Sequence, residues 1–373
     1  MKIDELNCAE TRGSLIEKLK NVEVNVDLVT MPDFFVDHSL AYVRSADSFA
    51  KQIVSVATKG GGEIPDTLQR LELGGNAAIC TLALSKLGAK VHPIMKTSPL
   101  GLTLLEYFCR GFNVDLSHVK TSGNLSPTVI LELGRGRKVA NVMVGDWSGV
   151  SALGFHDFQP EDIDLLSRVK FACVFNWLYN RKGTELAESV FRYCKQNSKT
   201  QTFFDPADPW PRRHELPDLV SRILRNDLVD FLAVNDNEAI MFARALDSKW
   251  KGRDRKTASG LHASKRMAAS TNTKTYVHNA NYSASTHHDH TSIAPTFDVS
   301  VRRGTGAGDS WNAGILVAES LGLQEEEKLL FANAVAARYI SQPERTFATM
   351  QDVVAFLRDS SHRLKNLHKI VKS

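Results

Sequence analysis

Arg303-Gly304-Thr305-Gly306-Ala307-Gly308-Asp309-Ser310-Trp311-Asn312-Ala313-Gly314 lies near the C-terminal end of this 373-residue chain, and the rest is read outward from it. The alternating run before it, Phe297 to Val301, predicts a strand. Ile315 to Glu319 after it, closed by Gly322, predicts a helix. A glycine-rich turn between strand and helix lets backbone N–H groups crowd around an anion, and the helix dipole favours negative charge at the same place. Asp309 sets this turn apart. A carboxylate in the first helical turn would repel a phosphate that was merely held, whereas phosphoryl transfer uses one to orient an acceptor hydroxyl and take its proton.

Three other readings compete for that loop. A dinucleotide-binding fingerprint needs a third glycine where Asp309 stands and a second strand with an acid about 20 residues on, yet residues 324–340 read as helix. A Walker A loop needs Gly-Lys-Ser/Thr, which the chain lacks. The third is a plain tight turn whose Asp caps a helix. The loop alone does not choose among them.

Composition narrows the class. Hydrophobic residues are 43% and charged residues 24% of the chain, which excludes a disordered protein. The net charge of +4 is spread along the sequence and points to neither nucleic acid nor membrane as a partner. The densest basic run (Lys249, Lys251, Arg253, Arg255, Lys256) reads as a solvated helix end or loop. Five scattered cysteines (Cys8, Cys80, Cys109, Cys173, Cys194) without CxxC spacing suit free thiols in a reducing compartment. Residues 1–20 lack the apolar centre of a signal peptide, and no run is long enough for a membrane span, so the expected location is cytoplasmic.

Along the chain, residues 9–20 predict a short helix and Val22 to Leu28 a strand that ends before Pro32. Phe34 to Val43 predicts a second strand, and Phe49, Ile53, Val56 and Ala57 keep helical spacing. After Gly74-Gly75, helices at 76–87 and 100–109 flank a strand at 91–95; Thr128–Leu133 and Lys138–Val144 form a hairpin around Gly134 to Arg137. Strands at 171–175, 202–204 and 231–234 then alternate with helices at 183–196 and 215–225. Repeated β-helix-β units imply a three-layer α/β/α core with a mostly parallel sheet, and the strands at 34–43 and 128–144 imply a small β-sheet lid. The expected division is an N-terminal extension (1–20), a nucleotide-binding core (21–33, 73–120 and 150–373) and a lid (34–72 and 121–149). The polar stretch 248–292 reads as an elaborated loop, and His287-His288-Asp289-His290 within it as a surface loop rather than a metal site.

With these parts in place the chain resembles the ribokinase-like (PfkB) carbohydrate kinases over most of residues 22–345. Three motifs occur in the family's order: Leu73-Gly74-Gly75-Asn76-Ala77-Ala78, then Asn235-Asp236-Asn237-Glu238 after a strand, then Thr305-Gly306-Ala307-Gly308-Asp309. The resemblance implies ATP as phosphoryl donor, Mg²⁺, and a sugar, sugar acid or nucleoside as acceptor. It makes Asp309 the base and gives the N–H groups of Gly306, Ala307 and Gly308 an anion hole. Gly74, Gly75 and Asn76 would meet the substrate. An Asp after the first strand would bind its hydroxyls: Asp37 is preferred, with Asp27 and Asp33 as competitors. Asn235 and Glu238 would act on Mg²⁺ through its waters, although the same pair also reads as a helix capping box. Thr305 and Asp205 would line the nucleotide side, and Asn333 would face the adenine or lie on a helix surface. A homodimer through the lid sheets is compatible with the resemblance.

The sequence departs from the family at Arg303-Gly304, usually Asp-Thr, at Ile79, usually Asn, and at Lys96 to Pro99, usually acidic; the customary Gly-Ala near Ser341 to Thr346 is missing. An Arg at 302 or 303 could pair with phosphate or simply end a strand. These departures keep a second reading in play, a catalytically inactive relative that binds or regulates.

Overall fold

A computed structural model describes residues 3–4, 8–42, 44–65, 67–135, 138–146, 149, 152–250, 252, 259–302 and 304–367. The chain runs β1 (Ile3–Asp4), α1 (Cys8–Leu19), β2 (Asp27–Met31), β3 (Phe35–Tyr42), α2 (Ala46–Thr58), β4 (Leu68–Gly74), α3 (Asn76–Lys86), β5 (Lys90–Pro93) and α4 (Pro99–Phe108). Next come β6 (Pro127–Arg135), β7 (Lys138–Gly145), α5 (Pro160–Arg168), β8 (Phe171–Phe175), α6 (Gly183–Asn197), β9 (Gln201–Asp205) and α7 (Leu216–Leu219), the last continued by a π-helical turn to Leu224. β10 (Phe231–Val234), α8 (Asp236–Leu246), α9 (Ser259–Ala268), β11 (Lys274–His278), β12 (Tyr282–His287), β13 (His290–Pro295), α10 (Ala307–Ser320), α11 (Glu325–Ile340) and α12 (Met350–Arg358) follow.

The large sheet has the order β1-β13-β12-β11-β10-β9-β8-β2-β5. Only β12 runs antiparallel to its neighbours in it. Alternation along β8 shows why helices must cover both faces. Phe171, Cys173 and Phe175 enter a core shared with α3, α10 and α11, while Ala172 and Val174 enter a second core shared with α5, α6 and α8. Three layers result. The small sheet has the order β4-β3-β6-β7, with β3 and β6 parallel and the outer pairs antiparallel. β3 delivers Asp37 and β4 delivers Gly74 to its inner end, where Phe35 pairs with Gly74.

Several expectations need correction. The strand expected at 297–301 is absent: Phe297 makes only an isolated bridge to Leu364, and Asp298 N–H and Arg302 N–H donate to Arg363 and Ile340 carbonyls. The strand expected from Val22 begins only at Asp27. The described residues of the polar stretch 248–292 hold α9, β11, β12 and the first half of β13, not a loop. It misled because its buried strands carry hydroxyls in place of alkyl groups. Ser285 and Ser292 donate to Glu325 and Glu326 of α11 at 2.7 and 2.6 Å, and Ser264 of α9 bonds Thr286 at 2.9 Å. Hydrogen-bonded hydroxyls are buried at little cost. His287 and His290 pair across the β12–β13 hairpin, with His288 in its turn. Of the basic run, Lys251, Arg253, Arg255 and Lys256 lie outside the described residues, as do Arg303 and the hairpin tip 136–137.

Candidate active site

Two helices, α3 and α10, begin at one cleft of about 350 Å³, and each begins at a glycine of positive φ. Gly306 (φ +86°) is the N-cap of α10. A side chain there would be strained by the backbone and would place its Cβ 2.5 Å from the Tyr339 hydroxyl, which donates to the Thr305 carbonyl at 3.1 Å. The turn is therefore fixed from beneath by α11. The first N–H groups of α10 have no intrahelical acceptor and turn the positive end of its dipole toward the cleft.

Asp309 stands in the first turn of α10 and lines the cleft together with Thr305, Gly306, Gly75, Asn76 and Asp37. Asp309 is 6% exposed, and its Oδ1 has no hydrogen-bond partner among the described residues. Burial, reinforced by the charges of Asp205 and Asp33, pushes it well above the usual carboxylate range; Asn76 and Arg345 oppose the rise.

The three candidate acids separate cleanly. Asp33 is fully buried and spent on structure: it accepts the N–H groups of Asn76 (2.7 Å) and Ala77 (3.0 Å) and the Asn176 side-chain amide (2.7 Å), so it anchors the start of α3. Asp27 begins β2, facing His92 at 3.7 Å. Asp37 lines the cleft. Burial raises it to about 6; Arg345 lowers it, while Glu72 and Asp33 raise it. Gly74 plays a part other than the one expected. A Cβ there would lie 2.1 Å from Asp37 Oδ1, so its bare Cα makes room for that carboxylate rather than for a ligand.

Asp205 ends β9, where side chains of an open α/β sheet reach its crevice. It accepts from Asn312 at 2.5 Å and from Ala207 N–H at 2.9 Å, and burial lifts it to about 6. Asn235 caps α8, and Glu238 answers it as a capping box, with Asn235 N–H donating to Glu238 Oε2 at 2.8 Å. Burial, then the charges of Asp205 and Asp208, push Glu238 up to about 8. Asn333 lies away from the cleft lining: its carbonyl accepts from Trp311 at 2.9 Å and its amide donates to Pro295 at 3.0 Å, inside the core.

Four further residues belong to this region without having been singled out in the sequence. Asn176, at positive φ just past β8, holds Asp33 and lines the cleft; its place after a strand's carboxyl end is a legible signal. Asn312 is one turn along from Asp309 and fixes Asp205. His278, at the end of β11, would touch a Cβ at Gly308 at 3.4 Å and packs on Trp311. Arg345, between α11 and α12, reaches Asp37 and Glu72 at 3.8 and 3.7 Å.

Comparison with known proteins bears on the family and the fold. The family model for pfkB family carbohydrate kinases matches residues 63–351. Among curated proteins no sequence matches the chain. Ribokinase from Thermotoga maritima has a similar structure, with a TM-score of 0.66 and 16% identity over 91% of this chain and 100% of that one. Arabidopsis thaliana ribokinase complexed with ribose and ATP gives 0.67 and 14%, over 91% and 100%. A putative ribokinase II from E. coli, in complex with ATP and Mg²⁺, gives 0.66 and 12%, over 90% and 99%. At such identities the structures speak for the fold, and the family match carries the assignment: the chain belongs to the pfkB family of carbohydrate kinases.

Proposed function

We propose that this protein transfers the γ-phosphoryl group of ATP to a hydroxyl of a sugar, sugar acid or nucleoside, with Asp309 as the base. The observation that carries the reading is the convergence of Asp309, Asn76 and Asp37 on one cleft at two helix N-termini. Asp37 and Asn76 would hold acceptor hydroxyls, with Gly75 in contact and Asp309 facing the one that reacts. As the acceptor oxygen bonds to phosphorus and the bond to ADP breaks, Asp309 takes the hydroxyl proton. The N–H groups of Gly306, Ala307 and Gly308 would hold the charge on the phosphoryl group, with Thr305 beside them. The small sheet, residues 34–72 and 121–149, would act as a lid that excludes water over a core made of the remaining segments.

The carboxylates on the nucleotide side fit a hard divalent cation. Buried Asp205 and Glu238 and exposed Asp208 offer oxygen donors only, and their mutual repulsion is the condition a cation relieves. Mg²⁺, when bound, would neutralise phosphate charge; Asn235 and Glu238 would hold its waters. Cationic ligands would also lower Asp309, returning it to the ionised form a base requires.

The test is ATP consumption by the full chain with Mg²⁺ against a panel of sugars, sugar acids and nucleosides. At least one acceptor should stimulate turnover. Asp309→Asn should cut kcat by about 10²–10⁴-fold while acceptor Kd stays near wild type. Ligand-induced melting shifts without any turnover would instead favour the inactive binding module.

A further inference from the structure

A second polar cluster sits at the outer edge of the large sheet, apart from the cleft. His92 belongs to β5, the edge strand, while Asp115 and His118 flank and close a 3₁₀ turn (Leu116–His118) that follows α4. One ring nitrogen from each histidine and one Asp115 oxygen all lie within 4.8 Å of one another. Ligands about 2.0–2.2 Å from a tetrahedral ion are roughly 3.4 Å apart, so a small side-chain adjustment closes the set.

Two of the three ligands are held from behind. His118 Nδ1 faces Asp162 Oδ1 at 2.7 Å, which leaves Nε2 for a ligand; Asp162 is itself fixed by Lys120 at 2.5 Å and by Gln159 N–H at 2.7 Å. A carboxylate behind a histidine is the arrangement that orients metal-bound imidazoles. Asp115 Oδ1 accepts Ser117 N–H at 3.1 Å, leaving Oδ2, which lies 3.2 Å from His92 Nδ1. His92 is 4% exposed, and its buried Nε2 has no hydrogen-bond partner among the described residues, Asp27 lying 3.7 Å away. Asp27 and Asp115 are partly exposed and open the cluster to solvent.

We propose that His92, Asp115 and His118 bind one divalent transition-metal ion of the zinc type, with water as the fourth ligand. Two imidazole donors select such an ion over Mg²⁺, so this site is independent of the nucleotide's cation. Its effect would be to pin edge strand β5 to the turn after α4.

The chelator-stripped full chain is titrated with Zn²⁺ and, separately, Co²⁺, with affinity, melting temperature and visible absorption as readouts. One Zn²⁺ per chain should bind, the melting temperature should rise, and Co²⁺ should show the absorption bands of a four-coordinate site. Asp115→Asn, a partly exposed position whose exchange spares the core, should weaken Zn²⁺ at least about 10-fold. Asp162→Asn, acting through His118, should cost about 10–100-fold. His288→Ala, on the β12–β13 hairpin, should change nothing. The proposal is overturned by the absence of saturable binding, by unchanged affinity in Asp115→Asn, or by loss of binding in His288→Ala.

Discussion

Glu238 concentrates the electrostatic tension of the site in one carboxyl. Its ordinary value of 4.5 is raised to about 8 by burial and by Asp205 and Asp208. Between those two values the unfolded chain has lost this proton while the folded chain keeps it, so this group makes stability fall as pH rises. A neutral amide escapes that penalty. Glu238→Gln should therefore leave the melting temperature near wild type at pH 4.5 and raise it progressively toward pH 8 in the ligand-free protein. Mg²⁺-dependent turnover should fall in the same variant, because the proposed water ligand is gone. Thermal melts across that pH range, paired with rates at varied Mg²⁺, check both halves. A melting temperature that rises equally at all pH values would mean that packing, not charge, is responsible. Asp309 and Asn76 were legible at this scale because their motifs are contiguous, whereas the sequence left Asp37 in competition with Asp27 and Asp33. Asn333 was not legible, because its partners Trp311 and Pro295 come from elsewhere in the chain.

At the scale of elements, the turn from Gly304 to Asp309 is shaped less by what precedes it than by α11 beneath it. No strand leads into it; the ladder stops at Pro295 and the chain bonds instead to C-terminal segments. The Tyr339 hydroxyl on the Thr305 carbonyl and the left-handed Gly306 fix the turn. Gly306→Ala should cost about 1–3 kcal/mol in stability, from the positive φ and from displacement of Tyr339. It should lower kcat by at least about 10-fold, because the N–H groups of the turn lose their aim. Denaturant unfolding and steady-state kinetics report the two effects separately. A variant of normal rate would show that the turn tolerates reshaping and does not set the chemistry. The alternation of Phe297, Val299 and Val301 suggested a strand because apolar spacing reports which side is covered, not what the backbone bonds to. Phe297 is covered by Phe356 of α12, not by a neighbouring strand.

At the scale of the molecule, Arg345 links the two sheets' territories. It leaves the segment between α11 and α12 and meets Asp37 of β3 and Glu72 of β4, with a side chain 8% exposed. Two of its nitrogens, Nε and Nη1, are buried without partners among the described residues. Two opposing effects follow from Arg345→Met. Loss of the cation exposes Asp37 and Glu72 to each other, while removal of unsatisfied donors relieves about 1–3 kcal/mol of desolvation cost. These offset, so the melting temperature should change little. Asp37, however, loses the charge that holds it down and rises above about 6. The acceptor KM should then increase about 10-fold near neutral pH and recover partly as pH is raised, with kcat less affected. A KM that is unchanged, or that does not depend on pH, would detach Arg345 from the acceptor side.

The sequence by itself determined the layered α/β/α class, the small sheet, the order of the three motifs and the glycine turn ahead of Asp309, because each depends on local periodicity and on backbone freedom at short range. Tertiary structure decided which acid faces the cleft, that Gly74 serves Asp37, that Asp33 anchors α3, and that hydroxyl-rich β12 and β13 lie inside the sheet. Those outcomes turn on contacts between residues tens to hundreds of positions apart, where burial and hydrogen-bond pairing, rather than residue type, set what a side chain can do.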